Sequence, residues 1–213
     1  MKSVFEKYRT LPYVSAFLVL VNVAVYAVCS LTGNQLYLAG RSSVYETVIN
    51  KEYGRIVWSL FLHSDVNHIF NNMLLLLFLG GMIEKEIGHI CYALCYFLSG
   101  IGGSLLSLAY KISVNDFSAS IGASGAVFGL DGMLLGMVLL GGKRMATVTP
   151  TRVILMIVLS LYNGFAGDNI DNAAHIGGLV TGFLLSIVMC VFRKRMNTWA
   201  QRHVQKRGDY EER

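Results

Sequence analysis

The segment from residue 120 to residue 140 reads SIGASGAVFGLDGMLLGMVLL. Its second half is apolar enough for a helix inside a bilayer, yet its entrance carries Ser120, Gly122, Ser124, Gly125 and Gly129 where leucine suits a span best. The rest of the chain has the same apolar character. It is 54% hydrophobic and 15% charged over 213 residues, with a mean hydropathy of +0.52. Soluble domains carry about a quarter charged residues, so the composition indicates an all-α membrane protein.

Six apolar stretches can be drawn, Tyr13–Ser30, His68–Ile83, Ile90–Tyr110, Ser124–Leu140, Val153–Phe165 and Ala173–Phe192. Several fall short of the ~20 residues that cross a bilayer. The second extends backwards through IVWSLFLHSDVN, and the fourth and fifth extend into their flanking loops. Short spans beside glycine and polar residues suit helices that end in a protein-lined cavity. With six spans and a cytoplasmic N-terminus, all the Lys and Arg except Arg41, Lys51, Arg55 and Lys111 fall on the inner side, 14 of 18. That bias places both termini inside. It also makes the net charge of +5 a topology signal, with no nucleic-acid partner required. The first outer loop, about Leu31 to Ile56, mixes apolar, aromatic and charged residues and is expected to form short interfacial helices. Residues 1–12 are a short cytoplasmic segment, 1–192 form one membrane domain, and 193–213 are a basic, solvated or disordered cytoplasmic tail. The first apolar run is too long for a signal-peptide core and reads as a retained span. Cys91 and Cys95, four apart, share a helix face suited to packing.

This topology brings polar residues from three spans to one outward level. Ser124 opens the fourth span, His175 lies near the start of the sixth, and HSDVNHIFNN carries His63, His68 and Asn72 into the second. Ionisable groups in membrane segments are costly, so such clustering marks a functional site. The fitting chemistry is acyl transfer, with Ser124 as nucleophile and His175 as general base and then acid. The developing oxyanion needs donors. His68 and Asn72, four apart on one helix face, and the Ser124 backbone amide supply them. Gly122 and Gly125 allow close approach of backbone and substrate. Asn67, Asn71, Asn169 and Asn172 line a polar mouth. Asp171 precedes the sixth helix and is expected to face water, which leaves a Ser–His dyad.

Together these motifs resemble the rhomboid family of intramembrane serine proteases, from the first span to Phe192. GASG (122–125) is similar to that family's nucleophile motif, HSDVNHIFNN to its histidine and asparagine motif, and AHIGGLVTG to the segment bearing its catalytic histidine. LGGMIEKEIG resembles the exit of its second span, with Glu84 at the acidic position. The resemblance implies a six-transmembrane-helix bundle with a partly embedded first loop, a short fourth helix and a water-filled cavity open to the outside. It implies an oxyanion site of His68, Asn72 and the Ser124 amide, substrates that are single-span membrane proteins entering laterally, and no metal or organic cofactor. Two positions depart from the family pattern. Arg55 stands at the arginine of a Trp–Arg pair, but Gly54 replaces the tryptophan. Phe128 stands where a tyrosine often stacks on the catalytic histidine, and it retains the ring face without the hydroxyl.

Other readings compete locally. Gly178, Gly182 and the glycines of GAVFG have the small-xxx-small spacing of helix packing. His63 suits hydrogen bonding within the loop better than contact with substrate. His63 and His68 are five apart and no H-E-x-x-H occurs, which disfavours a metalloprotease. Asp131 lies on nearly the same helix face as Ser124, about 10 Å deeper, and reads as structural or gating. Glu84 reads as a residue fixing a loop near the cytoplasmic face. A silent rhomboid-like binding protein and a small channel or transporter are the alternative functions. The N-terminus is not transit-like, and a bacterial inner membrane is the expected location.

Overall fold

A computed structural model describes residues 11–33, 35–140, 148–166 and 170–211, with only the backbone considered for 163–166 and 193–211. Lys143 and Arg144 of the inner loop, Asp168, Asn169 and residues 1–10 lie outside the described residues. The molecule is all-α. Its elements are α1 (Tyr13–Leu31), α2 (Gln35–Gly40), α3 (Arg55–Trp58), α4 (Val66–Ile87, through a π-helical stretch at Leu76–Gly80), α5 (His89–Ser113), α6 (Ser124–Leu140), α7 (Pro150–Ala166) and α8 (Asn172–Glu211). Four of them are long and apolar enough to cross a membrane: α1, α4, α5 and the Asn172–Phe192 part of α8. The apolar helices α6 and α7 are shorter. This is a multi-pass membrane protein.

The second span extends backwards by only Val66 and Asn67, far less than the sequence expectation. Asp65 has extended backbone angles and accepts a hydrogen bond from the His68 amide at 2.9 Å, so it caps α4 and stops the helix there. Before it, IVWSLFLH forms α3, a 3₁₀ turn at Ser59–Phe61 and extended chain at Leu62. Hydropathy alone does not separate such a buried loop from a helix. The span grows at its other end instead, through Ile87. The first loop contains the short helical pieces α2, a π turn at Val44–Ile49 and α3. Arg55 holds it together, donating to the carbonyls of Leu38 (3.0 Å) and Arg41 (3.1 Å) and pairing with Glu52 at 2.6 Å. The tail also differs from expectation, since the backbone stays helical to Glu211. Its sequence contains no proline and is rich in Arg, Lys and Gln, all good helix formers. Cys95 is buried while Cys91 is exposed, so the two do not share a packed face.

The fold is built around α6. Its buried residues run almost unbroken from Gly125 to Leu134, which means neighbours cover it on every side. Tyr92 and Tyr96 of α5, and Leu76, Leu79 and Ile83 of α4, are fully buried in the same core. Against α8 the contact is backbone to backbone. A Cβ on Gly178 would run into the carbonyl of Gly125, one on Gly182 into that of Gly129, and one on Gly132 into that of Leu179. Lipid tails are as apolar as leucine, so close packing of small residues is what drives such helices together.

At the inner end, Glu84 of α4 is fully buried and accepts from the Val14 amide (2.8 Å), the Ser15 amide (2.9 Å) and the Ser15 hydroxyl (2.7 Å). Those amides belong to the first turn of α1, where helix geometry leaves donors without partners and the dipole favours an anion. His89 Nδ1 lies 2.5 Å from the same carboxylate.

Candidate active site

The approach to α6 is fixed before the helix begins. Ser120 and Ser42 form an isolated antiparallel bridge, with Ser120 N–H donating to Ser42 O at 2.7 Å and Ser42 N–H to Ser120 O at 3.1 Å. Gly122 then takes φ +116°, a conformation that side chains rarely tolerate, and donates its amide to Ser59 O at 2.9 Å. This turn delivers Ser124 as the first residue of α6. Its amide is therefore among those that cannot pair within the helix.

Ser124 Oγ lies 3.0 Å from His175 Nε2. His175 is 7% exposed, and its ring stacks on Phe128 with centroids 4.2 Å apart and planes 15° from parallel. Its Nδ1 is buried without a protein partner among the described residues. Among the described residues, therefore, no carboxylate orients the imidazole from behind.

The second span brings His68 and Asn72 to the same place. A Cβ on Gly122 would sit 2.7 Å from His68 Nε2 and 3.7 Å from Asn72 Nδ2. Both side chains thus border the turn two residues before Ser124. Asn72 Nδ2 is a buried donor with no partner among the described residues. Ser64 bridges the Asp65 carboxylate (2.7 Å) and His68 Nδ1 (3.1 Å), holding the ring by its far edge. The Ser64 hydroxyl and the His68 amide keep the Asp65 carboxyl ionised below its ordinary range.

The remaining predicted residues stand apart. His63 is buried and meets His68 edge-on at a centroid distance of 5.0 Å. Burial, reinforced by the neighbouring His68, pushes its pKa down to about 3, so it is neutral. Gly125 faces Ala174 O at 3.4 Å and Gly103, which makes its bare face a helix contact rather than room for substrate. Arg55 and Glu84 serve the first loop and the α1 terminus described above. Asp131 is 1% exposed, and its Oδ1 has no partner among the described residues.

The sequence reading missed one group. Asp171 does not face water. Its Oδ2 accepts from Ser107 Oγ and Ser120 Oγ and lies 3.6 Å from Lys111 Nζ, while its Oδ1 accepts from the Ala174 amide at 2.9 Å. Burial works against its charge, but the two hydroxyls, the amide and Lys111 outweigh it and lower its pKa. Lys111, a lone cation in a loop-end segment of serines, was the available signal. A cavity of about 20 Å³ lies between this group and the nucleophile, lined by Ser59, Ser104, Ser120, Gly122, Ser124 and Asp171 among others. Among the described residues no group of His, Cys, Asp and Glu is arranged to hold a metal ion.

Residues 50–192 match the family model described as Rhomboid domain. The chain is 38% identical over 157 residues to RHOMBOID-like protein 4 of Arabidopsis thaliana, covering 73% of this chain and 39% of that protein. It is 32% identical over 158 residues to Rhomboid protease GluP of Bacillus subtilis (strain 168), covering 74% and 30%. It is 34% identical over 148 residues to Putative rhomboid protease YdcA of the same bacterium, covering 69% and 72%. The aligned region spans about two fifths of the length of the first curated relatives it matches.

Proposed function

The chain belongs to the rhomboid family, and from that premise we propose that it is an intramembrane serine endopeptidase cutting single-span membrane proteins with a Ser124–His175 dyad. The observation that carries the reading is the 3.0 Å approach of Ser124 Oγ to His175 Nε2. Relatives named as rhomboid proteases support the reaction class.

In the reaction, Ser124 Oγ attacks the scissile carbonyl as His175 Nε2 takes its proton. The carbonyl oxygen becomes an anion, which the Asn72 amide, the Ser124 backbone N–H and His68 stabilise. Donation from His68 Nε2 requires Ser64 to turn its proton onto Nδ1, or the ring to carry both protons. His175 then gives its proton to the departing amine, leaving an acyl-Ser124. Water attacks this ester with His175 again as base, and collapse frees the acid and the serine. The cavity beside Ser124 has room for about one water molecule. Phe128 keeps the His175 ring facing the serine.

The excess of Lys and Arg in the segments that six spans would put on one side supports a cytoplasmic location for both termini. Relatives occur in a plant and in a bacterium, so the proposal concerns the side of the membrane and names no particular host membrane. The test incubates purified protein with a labelled single-span substrate beside Ser124→Ala and His175→Ala. Both variants are expected to fold and to lose cleavage. Cleavage that persists in Ser124→Ala would falsify the assignment.

A further inference from the structure

We propose that Asp171, held by Lys111, Ser107 and Ser120, is a positioning residue that fixes the Ser124-bearing turn and the His175-bearing helix in one register; this rests on the proteolytic reading above. The two backbones come from distant parts of the chain, and one carboxylate joins them. On the α8 side, Asp171 Oδ1 accepts from the Ala174 amide at 2.9 Å, and its main-chain carbonyl accepts from the His175 amide at 3.2 Å. These bonds set the first turn of α8, and with it the direction in which His175 leaves the helix. On the other side, Ser120 donates its hydroxyl to Asp171 Oδ2 and accepts from Lys111 Nζ at 2.7 Å. Lys111 also donates to Ser118 O at 3.1 Å, while Ser107 of the same helix donates to Oδ2. Ser120, four residues ahead of the nucleophile, is in turn bridged through its backbone to Ser42.

The energetics favour a geometric role over a stabilising one. Lys111 is 6% exposed and the Asp171 side chain 17%. Taking both charges out of water costs about what their attraction returns, so apolar residues of the same shape would serve stability equally well. Directional bonds are what an apolar pair lacks. Ser124 and His175 must meet within hydrogen-bond reach, and a displacement of about 1 Å at a reacting pair costs on the order of 10²-fold in rate. The glycine contacts hold α6 against α8 along their length, while the Asp171 group ties the turn ahead of α6 to the end of α8 that carries the base.

The experiment uses the full chain in lipid vesicles. It measures kcat and KM on a labelled single-span substrate, and the rate at which a small fluorophosphonate labels Ser124, each per folded molecule. Asp171→Ala is expected to lower kcat and the labelling rate by about tenfold or more while KM moves by less than about threefold. Ser120→Ala is expected to act in the same direction, and Ser120→Thr, which keeps the hydroxyl, to recover most of the rate. A folded Asp171→Ala protein with wild-type kcat and labelling rate overturns the inference. If Asp171→Ala does not fold, equal rates for Ser120→Ala and Ser120→Thr overturn it. Ser124→Ala is run alongside: its cleavage of substrate removes the proteolytic premise, and the inference with it, whatever Asp171→Ala does.

Discussion

At the scale of single residues, the turn at Gly122 and the donor at Asn72 are the most exposed to test. Gly122 combines φ +116° with a His68 nitrogen 2.7 Å from where a Cβ would sit. Gly122→Ala therefore adds backbone strain and pushes His68 away, and cleavage should fall by about 10²-fold in a protein that still folds. Asn72→Ala removes a buried donor at the site of the developing charge, and kcat should fall by roughly 10²–10³-fold with KM little changed. Steady-state kinetics on one substrate separates the two parameters. Ser124, His68 and Asn72 stand out in the sequence because their signals are local: a serine between glycines, and two polar groups one helical turn apart. Asp171 does not. Its partners Ser107, Lys111 and Ser120 come from α5 and from the turn before α6, and position ahead of a helix reads as exposure when those partners are out of view.

Between elements, two contacts decide the packing. The α6–α8 seam has no room for a methyl group at Gly178, where a Cβ would meet the Gly125 carbonyl. Gly178→Ala should force the helices apart, lower the midpoint of thermal unfolding and reduce Ser124 labelling in step with it. The inner ends of α1 and α4 meet through Glu84. Replacing it by alanine leaves the Ser15 donors buried and the Val14 amide half-buried without an acceptor, a loss of about 1–3 kcal/mol, readable as a lower unfolding midpoint. Hydropathy located the spans well, because apolar length is what a bilayer selects. It failed at IVWSLFLH, where Ser59, Leu60, Leu62 and His63 are buried on a backbone that leaves the helix after Trp58, and at the tail, where charge suggested loose chain and helix propensity prevailed.

For the molecule as a whole, pH and orientation are the accessible variables. Asp171 has a pKa lowered from 3.8, so its contribution to stability is complete above that value and is lost as pH falls through the lower folded one. Lys111 faces it from α5, and Asp116 adds a weaker opposing charge from the following loop. The unfolding midpoint should therefore lose this contribution only below about pH 4, and Asp171→Asn should flatten that limb. Reporter domains fused to each terminus should both be found in the cytoplasm; a periplasmic or luminal signal from either would contradict the charge-based orientation. One more property follows from the enclosure of α6. The half of α6 that follows the nucleophile, Gly125 to Leu134, is wrapped by protein and has no annulus of its own, so changes in acyl-chain length or bilayer tension reach Ser124 through displacements of neighbouring helices or of the exposed inner end at Leu139 and Leu140, and the lipid dependence of turnover reports on those parts.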